Sequence, residues 1–322
     1  MKGRTGWLIA QVVVTAVLLV LLGRNLDMAA FVTLFAKAPL AFYVTALAVM
    51  LAGQVAYAWR WRLLLTASGV ALPLSSVVRQ YFVGIFVNNF LPSTVGGDVA
   101  KVYYLGQDHG RQRIAASVVI DRLLGVGWLA LLAVIALAAS PVTAPRLVAA
   151  QMACAGIAVA VVIILVTTGV GTGGLAKRIS WMGTGAVKLA ERLQRLRLDM
   201  AMPLRHPEIV VKAALVVAGY IAAVTGVYMR FASLQGVPIQ SAIAVFAVVS
   251  ATAVLSNLPI SLNGLGLREQ LHVALLAPIG ISPELAVAMS LLTYAHLIIA
   301  SLIGLVFWLR QPRASRVVPT SA

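Results

Sequence analysis

Asp98 and Lys101 stand three residues apart inside otherwise apolar sequence, and Arg268, Glu269 and His272 form a second charged group 170 residues further on. Charge in hydrocarbon is costly, so such groups mark sites rather than filler. Each group follows the same kind of lettering. The first is preceded by Asn88-Asn89-Phe90-Leu91-Pro92-Ser93-Thr94-Val95-Gly96-Gly97, the second by Asn257-Leu258-Pro259-Ile260-Ser261-Leu262-Asn263-Gly264-Leu265-Gly266. Both have Asn shortly before Leu-Pro, a Ser within two residues of the Pro, then close glycines and charge. A helix broken at membrane depth frees backbone N–H groups, and these, with the dipole of the half-helix that follows, favour an anion such as phosphate. Ser93 and Thr94 can donate hydrogen bonds, and Gly96 and Gly97 let the backbone approach closely. Lys101 lies one turn into the following half-helix, where it can neutralise an anion, while Asp98 can hold Lys101 or meet a cationic group. Ser261, Asn263, Gly264, Gly266, Arg268, Glu269 and His272 offer a parallel inventory, and Asn88, Asn89 and Asn257 lie at the entries to the breaks.

A plainer reading stands beside this one. Asn and Gly often only cap helix ends, and Asp98 with Lys101, or Glu269 with His272, can simply satisfy one another. Asp121 and Arg122 read as structural partners near the interface, and His109 as a loop residue. Gln54, Gln80 and His296 read as hydrogen bonders between helices.

These groups need long apolar elements to hold them, and the composition supplies them. Of 322 residues, 61% are apolar and 11% charged, with a mean hydropathy of +0.98. A soluble domain needs far more polar cover, and a membrane β-barrel would alternate in short strands. The fold class is therefore all-α, a polytopic membrane protein. The net charge of +16 reflects Lys and Arg placed between and at the ends of apolar spans, as the positive-inside rule and anionic headgroups require, and implies no nucleic acid. Cys154 is the single cysteine, so neither an intrachain disulfide nor a cysteine metal site is expected. No metal or cofactor is implied, and no Walker-type loop points to ATP.

In chain order, residues 1–23 read as an uncleaved signal anchor and 40–59 as a second span, ending at Arg60, Arg62 and an interfacial cluster of Tyr57, Trp59 and Trp61. Residues 77–105 form the first broken unit. If it crossed, Arg111 and Arg113 would lie outside; as a re-entrant hairpin it returns them to the side of Arg79, which charge bias favours. Spans follow at 115–139 and 147–170. The connector 171–208 carries Leu189, Leu193, Leu196 and Met200 at helical spacing among basic residues, either as an amphipathic helix on the cytoplasmic leaflet or as a solvated link. A span at 209–230, a second broken unit at 241–277 and a last span at 284–309 complete a single transmembrane domain with a short basic tail, 310–322. The two units would enter from opposite faces, an inverted repeat. Both termini are placed in the cytoplasm.

NNFLPSTVGGDVAKVYYL together with LPISLNGLGLRE resembles the transmembrane region of lysylphosphatidylglycerol synthases, a family also described as flippase-like, over essentially the whole chain. In relatives of that kind, the membrane domain is similar to the part that moves a lipid between leaflets, followed by a soluble aminoacyl-transferase. Here thirteen residues follow Leu309, so lipid aminoacylation is not expected. The resemblance implies lipid handling in a bacterial inner membrane. Three functions follow as expectations: a flippase or scramblase for an anionic or polyprenyl-linked lipid, with the headgroup between the breaks; a scaffold presenting lipid to a lipid-synthesis enzyme; or an integral-membrane lipid-modifying enzyme. No catalytic cluster supports the last. The partner is a membrane lipid, an anionic phospholipid, glycolipid or polyprenyl phosphate, and the many small residues permit a homo-oligomer.

Overall fold

Apolar sequence of this length folds as helices because a backbone in hydrocarbon must satisfy its own N–H and C=O groups. The computed structural model describes residues 2–24, 26–90, 96–169, 184–258 and 260–311. Among them are twelve α-helices and no strand. Ser93, Thr94, the first part of the connector and the basic tail beyond Gln311 lie outside the described residues. The chain is a multi-pass membrane protein. Five helices are long and apolar enough to cross a bilayer: α3 (Leu40–Ala67), α6 (Arg111–Ala138), α7 (Pro145–Gly169), α9 (Pro207–Leu234) and α12 (Pro283–Leu309).

The amino-terminal apolar run is α1 (Lys2–Arg24), which meets a ten-residue helix, α2 (Met28–Lys37), at 86°. The sequence reading has no α2. Asp27 starts it by accepting from the N–H groups of Ala29 and Ala30, and Phe35 packs on Phe231.

The first broken unit is α4 (Leu74–Phe90) and α5 (Gly96–His109). The two pair antiparallel as a hairpin. Gly84 lies against Gly97, and Val83, Val87, Ala100 and Tyr104 share a cluster. Gly110, at φ 87°, makes the corner into α6. The second unit is α10 (Ala242–Leu255), a single 3₁₀ turn over Leu262–Gly264, and α11 (Leu267–Leu276), which packs on α10.

The halves α3–α4–α5–α6 and α9–α10–α11–α12 use one packing scheme. Their helices run 28, 17, 14 and 28 residues in the first half and 28, 14, 10 and 27 in the second. The most extensive helix pairing crosses between them, α4 on α12, and α10 docks on α6 as extensively as α6 does on α7. α3 and α9, the matched first helices, also pack together. Gly304 makes the first crossing close. A β-carbon there would lie 2.1 Å from the carbonyl oxygen of Phe82, so the α12 and α4 backbones touch.

The connector contains α8 (Thr184–Leu204), which packs across α6 and α7. Gln112 Nε2 donates to Asp199 (2.8 Å), Arg197 Nε donates to the Thr168 carbonyl (3.1 Å), and Met200 and Ala201 are buried. These contacts join α8 to the α6 start and the α7 end, where Arg111 and Arg113 also lie.

Candidate functional site

The first break is closed by its own polar residues. The Gly97 N–H donates to Asn88 Oδ1 at 2.6 Å, so the hairpin caps one freed backbone donor of α5 itself. Asp98 then occupies the first turn of α5, where the helix dipole favours a carboxylate. Lys101 Nζ is 3.5 Å from Asp98 Oδ1, and Arg122 pairs with the other oxygen. The Lys101 ammonium also lies 4.9 Å from the Trp61 ring and 4.6 Å from the Tyr81 ring. Its side chain is 12% exposed, that of Arg122 44%.

Beside this group lies an ion pair that the sequence reading missed. Arg60 Nε and Nη2 reach the two oxygens of Asp121 at 2.9 and 3.0 Å, both residues buried. The arrangement is the bidentate fork expected of a desolvated Arg–carboxylate pair. Gly125 gives the guanidinium room: a β-carbon there would lie 3.2 Å from both terminal nitrogens. By sequence Arg60 reads as the charge that ends a span after residue 59, but α3 runs on to Ala67 and Arg60 is buried. Trp61 is fully buried and donates to Ser117 Oγ (3.2 Å), and Tyr57 packs on Tyr220 with ring centroids 5.0 Å apart. Asp121 and Arg122 are structural partners as expected, though of Arg60 and Asp98 rather than of one another.

At the second break, Asn263 (φ 49°) and Gly264 (φ 76°) take the left-handed conformation that turns the chain back. Gly266 N–H donates to Glu269 Oε2 (2.7 Å), so α11 too is capped by its own carboxylate. The other oxygen, Oε1, receives Arg268 Nη2 (3.1 Å) and Ser290 Oγ (2.9 Å), and Arg268 Nε donates to Ser290 Oγ (3.1 Å). His272 does not pair with Glu269. Its Nδ1 lies 2.9 Å from the Arg268 carbonyl oxygen and so carries the ring proton, while Nε2 accepts from the Tyr228 hydroxyl at 2.9 Å. Tyr228 Oη is in turn 2.6 Å from Thr293 Oγ1.

The two breaks meet. Asn263 Nδ2 donates to Asn89 Oδ1 at 2.7 Å across 174 residues of sequence, and Asn89 Nδ2 donates to the Leu297 carbonyl of α12 (3.3 Å). α1 covers the second break, since the Leu262 N–H donates to Thr15 Oγ1 (2.9 Å) and Gly266 lies against Leu18. Between the charged groups, His296 Nε2 lies 3.1 Å from both Gln54 Nε2 and Tyr220 Oη, which ties α3, α9 and α12 together. Of the predicted residues, Asn88, Asn89, Gly97, Asp98 and Lys101 surround the first break, with Gly96 opening α5. Asn263, Gly264, Gly266, Arg268, Glu269 and His272 surround the second. Ser261 is fully buried, while Asn257 is exposed and donates to the Ala253 carbonyl at the end of α10.

The family model for the lysylphosphatidylglycerol synthase TM region matches residues 8–309, which takes in both breaks and every helix that packs on them. The chain belongs to this family. It is a family of membrane proteins linked to lipid handling. A relative, UPF0104 membrane protein PH1989 of Pyrococcus horikoshii, is 26% identical over 124 residues, or 37% of this chain and 36% of that protein. The match thus spans about a third of that relative's length. Arg60, Tyr81, Tyr228, Ser290 and Thr293 entered no sequence-based site. The available signal for Arg60 was an opposite charge, Asp121, in the next long apolar run.

Proposed function

We propose that this chain moves an anionic or polyprenyl-linked lipid between the leaflets of a bacterial inner membrane, its headgroup passing between the two broken units while its tails stay in the bilayer. The observation that carries this reading is the contact between the breaks. Asn89 meets Asn263, with one charged group beyond each. Irregular backbone and charge at membrane depth are tolerated where they line a polar path. On this reading the halves form an inverted repeat whose hairpins are re-entrant from opposite faces. The matched helix lengths and the crossed docking of α4 on α12 and α10 on α6 support it. The basic face, with Arg79, Arg111, Arg113 and α8, is cytoplasmic, and so are the start of α1 and the end of α12. The protein transports its lipid without altering it.

The test is movement of a headgroup-labelled anionic phospholipid in proteoliposomes. The wild type is expected to accelerate it above protein-free vesicles, and Lys101→Gln to lower that rate at least tenfold with helical circular dichroism unchanged. Equal rates for the two proteins refute the site, and no acceleration by the wild type refutes transport. A scaffold reading draws support from α8, whose Leu193, Leu198 and Met202 are exposed; it requires a lipid-synthesis enzyme that co-purifies and is lost with Leu198→Asp.

A further inference from the structure

Away from both breaks, a polar cavity opens at the corner where α5 turns into α6. Gly110 makes that corner, and beside it lies a space of about 480 Å³, with His109, Gln112 and Arg113 on one wall and Arg195, Leu198 and Asp199 of α8 on the other. This is the size of cavity that takes a small ligand or a lipid headgroup. His109 ends α5, thirteen residues on from Gly96 and so about 20 Å along the helix from the first break.

The walls are rich in donors. Arg113 is exposed and, among the described residues, its guanidinium has neither an ion pair nor a hydrogen bond. Asp199, the carboxylate that lines the cavity, accepts from Gln112 Nε2 at 2.8 Å. α6 starts after Gly110, which has no side chain to cap it. The first bond of the new helix runs from the Ile114 N–H to the Gly110 carbonyl, so the N–H groups of Arg111, Gln112 and Arg113 come before it. Arg195 brings a second guanidinium from the opposite wall. A helix start flanked by two guanidinium groups suits the oxygens of a phosphate. What adjoins these donors is apolar. Arg195, Leu198 and Met202 recur at i, i+3 and i+7 on one stripe of α8, and Leu198 and Met202 are 53% and 42% exposed. A charged head followed by an apolar trail, set where the spanning helices α6 and α7 end, fits an amphiphile rather than a free ion.

We propose that this cavity binds an anionic phospholipid, its phosphate held between Arg113, Arg195 and the start of α6, and an acyl chain lying along Leu198 and Met202. The occupant ties α8 to the α5–α6 corner, adding to the Gln112–Asp199 and Arg197–Thr168 hydrogen bonds. A zwitterionic lipid presents the same phosphate with a cation attached, which two guanidinium groups and a helix start repel. The site stands apart from the breaks and does not depend on the transport reading.

The test is hydrogen–deuterium exchange of the purified full chain in a neutral detergent, read in peptides covering 106–116 and 193–202. Phosphatidylglycerol at ten times its Kd is expected to slow exchange of the 111–113 amides about tenfold, and phosphatidylcholine at the same concentration to leave it unchanged. Arg113→Gln is expected to remove the protection and Arg113→Lys to keep it; Arg195→Gln serves if Arg113→Gln does not fold. Inorganic phosphate or water-soluble glycerophosphoglycerol protecting as strongly as the lipid would identify a soluble phosphate as the occupant and overturn the lipid assignment. Equal protection by phosphatidylcholine, or protection that survives Arg113→Gln, overturns the proposal. Phosphatidylglycerol that protects 96–101 and 263–272 but not 106–116 overturns this site and leaves the transport reading standing. Protection at 106–116 in a protein that moves no lipid does the reverse.

Discussion

Gly97→Ala tests whether the hairpin holds the site as described. A methyl group at this position would stand 2.1 Å from the carbonyl oxygen of Gly84 and 2.8 Å from the Asn88 side-chain carbon. Ordinary carbon–oxygen contact is about 3.3 Å or more, so α4 and α5 must part by about 1 Å at a point where both are backbone. Overpacking of this kind costs about 1–3 kcal/mol. The Gly97–Asn88 hydrogen bond, at 2.6 Å, is stretched in the process, for about 1 kcal/mol more, and the better helix propensity of Ala returns a similar amount. The expected loss is therefore about 1–3 kcal/mol. Gly84→Ala is the control, because it faces the same seam from the other side. Its methyl meets the Lys101 Cε at 2.9 Å and the Gly97 oxygen at 3.3 Å, and a lysine stem can move. It is expected to cost less than about 1 kcal/mol while displacing the ammonium from Trp61 and Tyr81, and so to impair binding more than folding. Denaturant unfolding in detergent, followed by tryptophan fluorescence, measures both. Gly97→Ala as stable as the wild type, or Gly84→Ala the more destabilised of the two, would refute this account of the seam.

The Arg60–Asp121 pair predicts that a second substitution rescues the first. Arg60→Met leaves a buried carboxylate unpaired and is expected to cost about 3–5 kcal/mol, whereas Arg60→Met with Asp121→Leu should recover most of it; unfolding of the four proteins in the cycle decides the matter. Asn89→Ala and Asn263→Ala are each expected to cost about 1 kcal/mol, with a coupling of about 0.5–1.5 kcal/mol between them. A coupling of zero in the same assay would mean that the breaks do not meet.

The spans and both breaks were legible because they rest on local rules. Apolar length specifies a membrane helix, and Asn, Pro and Gly interrupt it wherever they fall together. What stayed hidden depended on distant residues. Arg60 reads as the end of a span when its own run is considered alone, and belongs inside only because Asp121, 61 residues away, neutralises it. Trp61 is likewise buried, its indole donating to Ser117 56 residues away. The Asn89–Asn263 contact spans 174 residues, and no spacing within either motif announces it. α2 was missed for another reason. Ten residues between two spans read as a loop, and the signal was the capping aspartate, Asp27, rather than any periodicity.

The half-helix starts bear most directly on recognition. A freed helix N-terminus binds an anion when its N–H groups and dipole are unoccupied. Here each start already uses one of its N–H groups and holds a carboxylate: Gly97 N–H is taken by Asn88 with Asp98 in the first turn of α5, and Gly266 N–H is taken by Glu269 at the head of α11. A carboxylate at each start spends the dipole and repels a second negative group. At each break a side chain of the same half thus takes up one freed backbone donor. Arg268 is consumed by Glu269 and Ser290. Lys101 shares Asp98 with Arg122 and lies against the rings of Trp61 and Tyr81. Two breaks that look alike in sequence thus place their charge differently: at the first, Asp98 is shared by Lys101 and Arg122, and at the second, Glu269 is shared by Arg268, Ser290 and the Gly266 N–H.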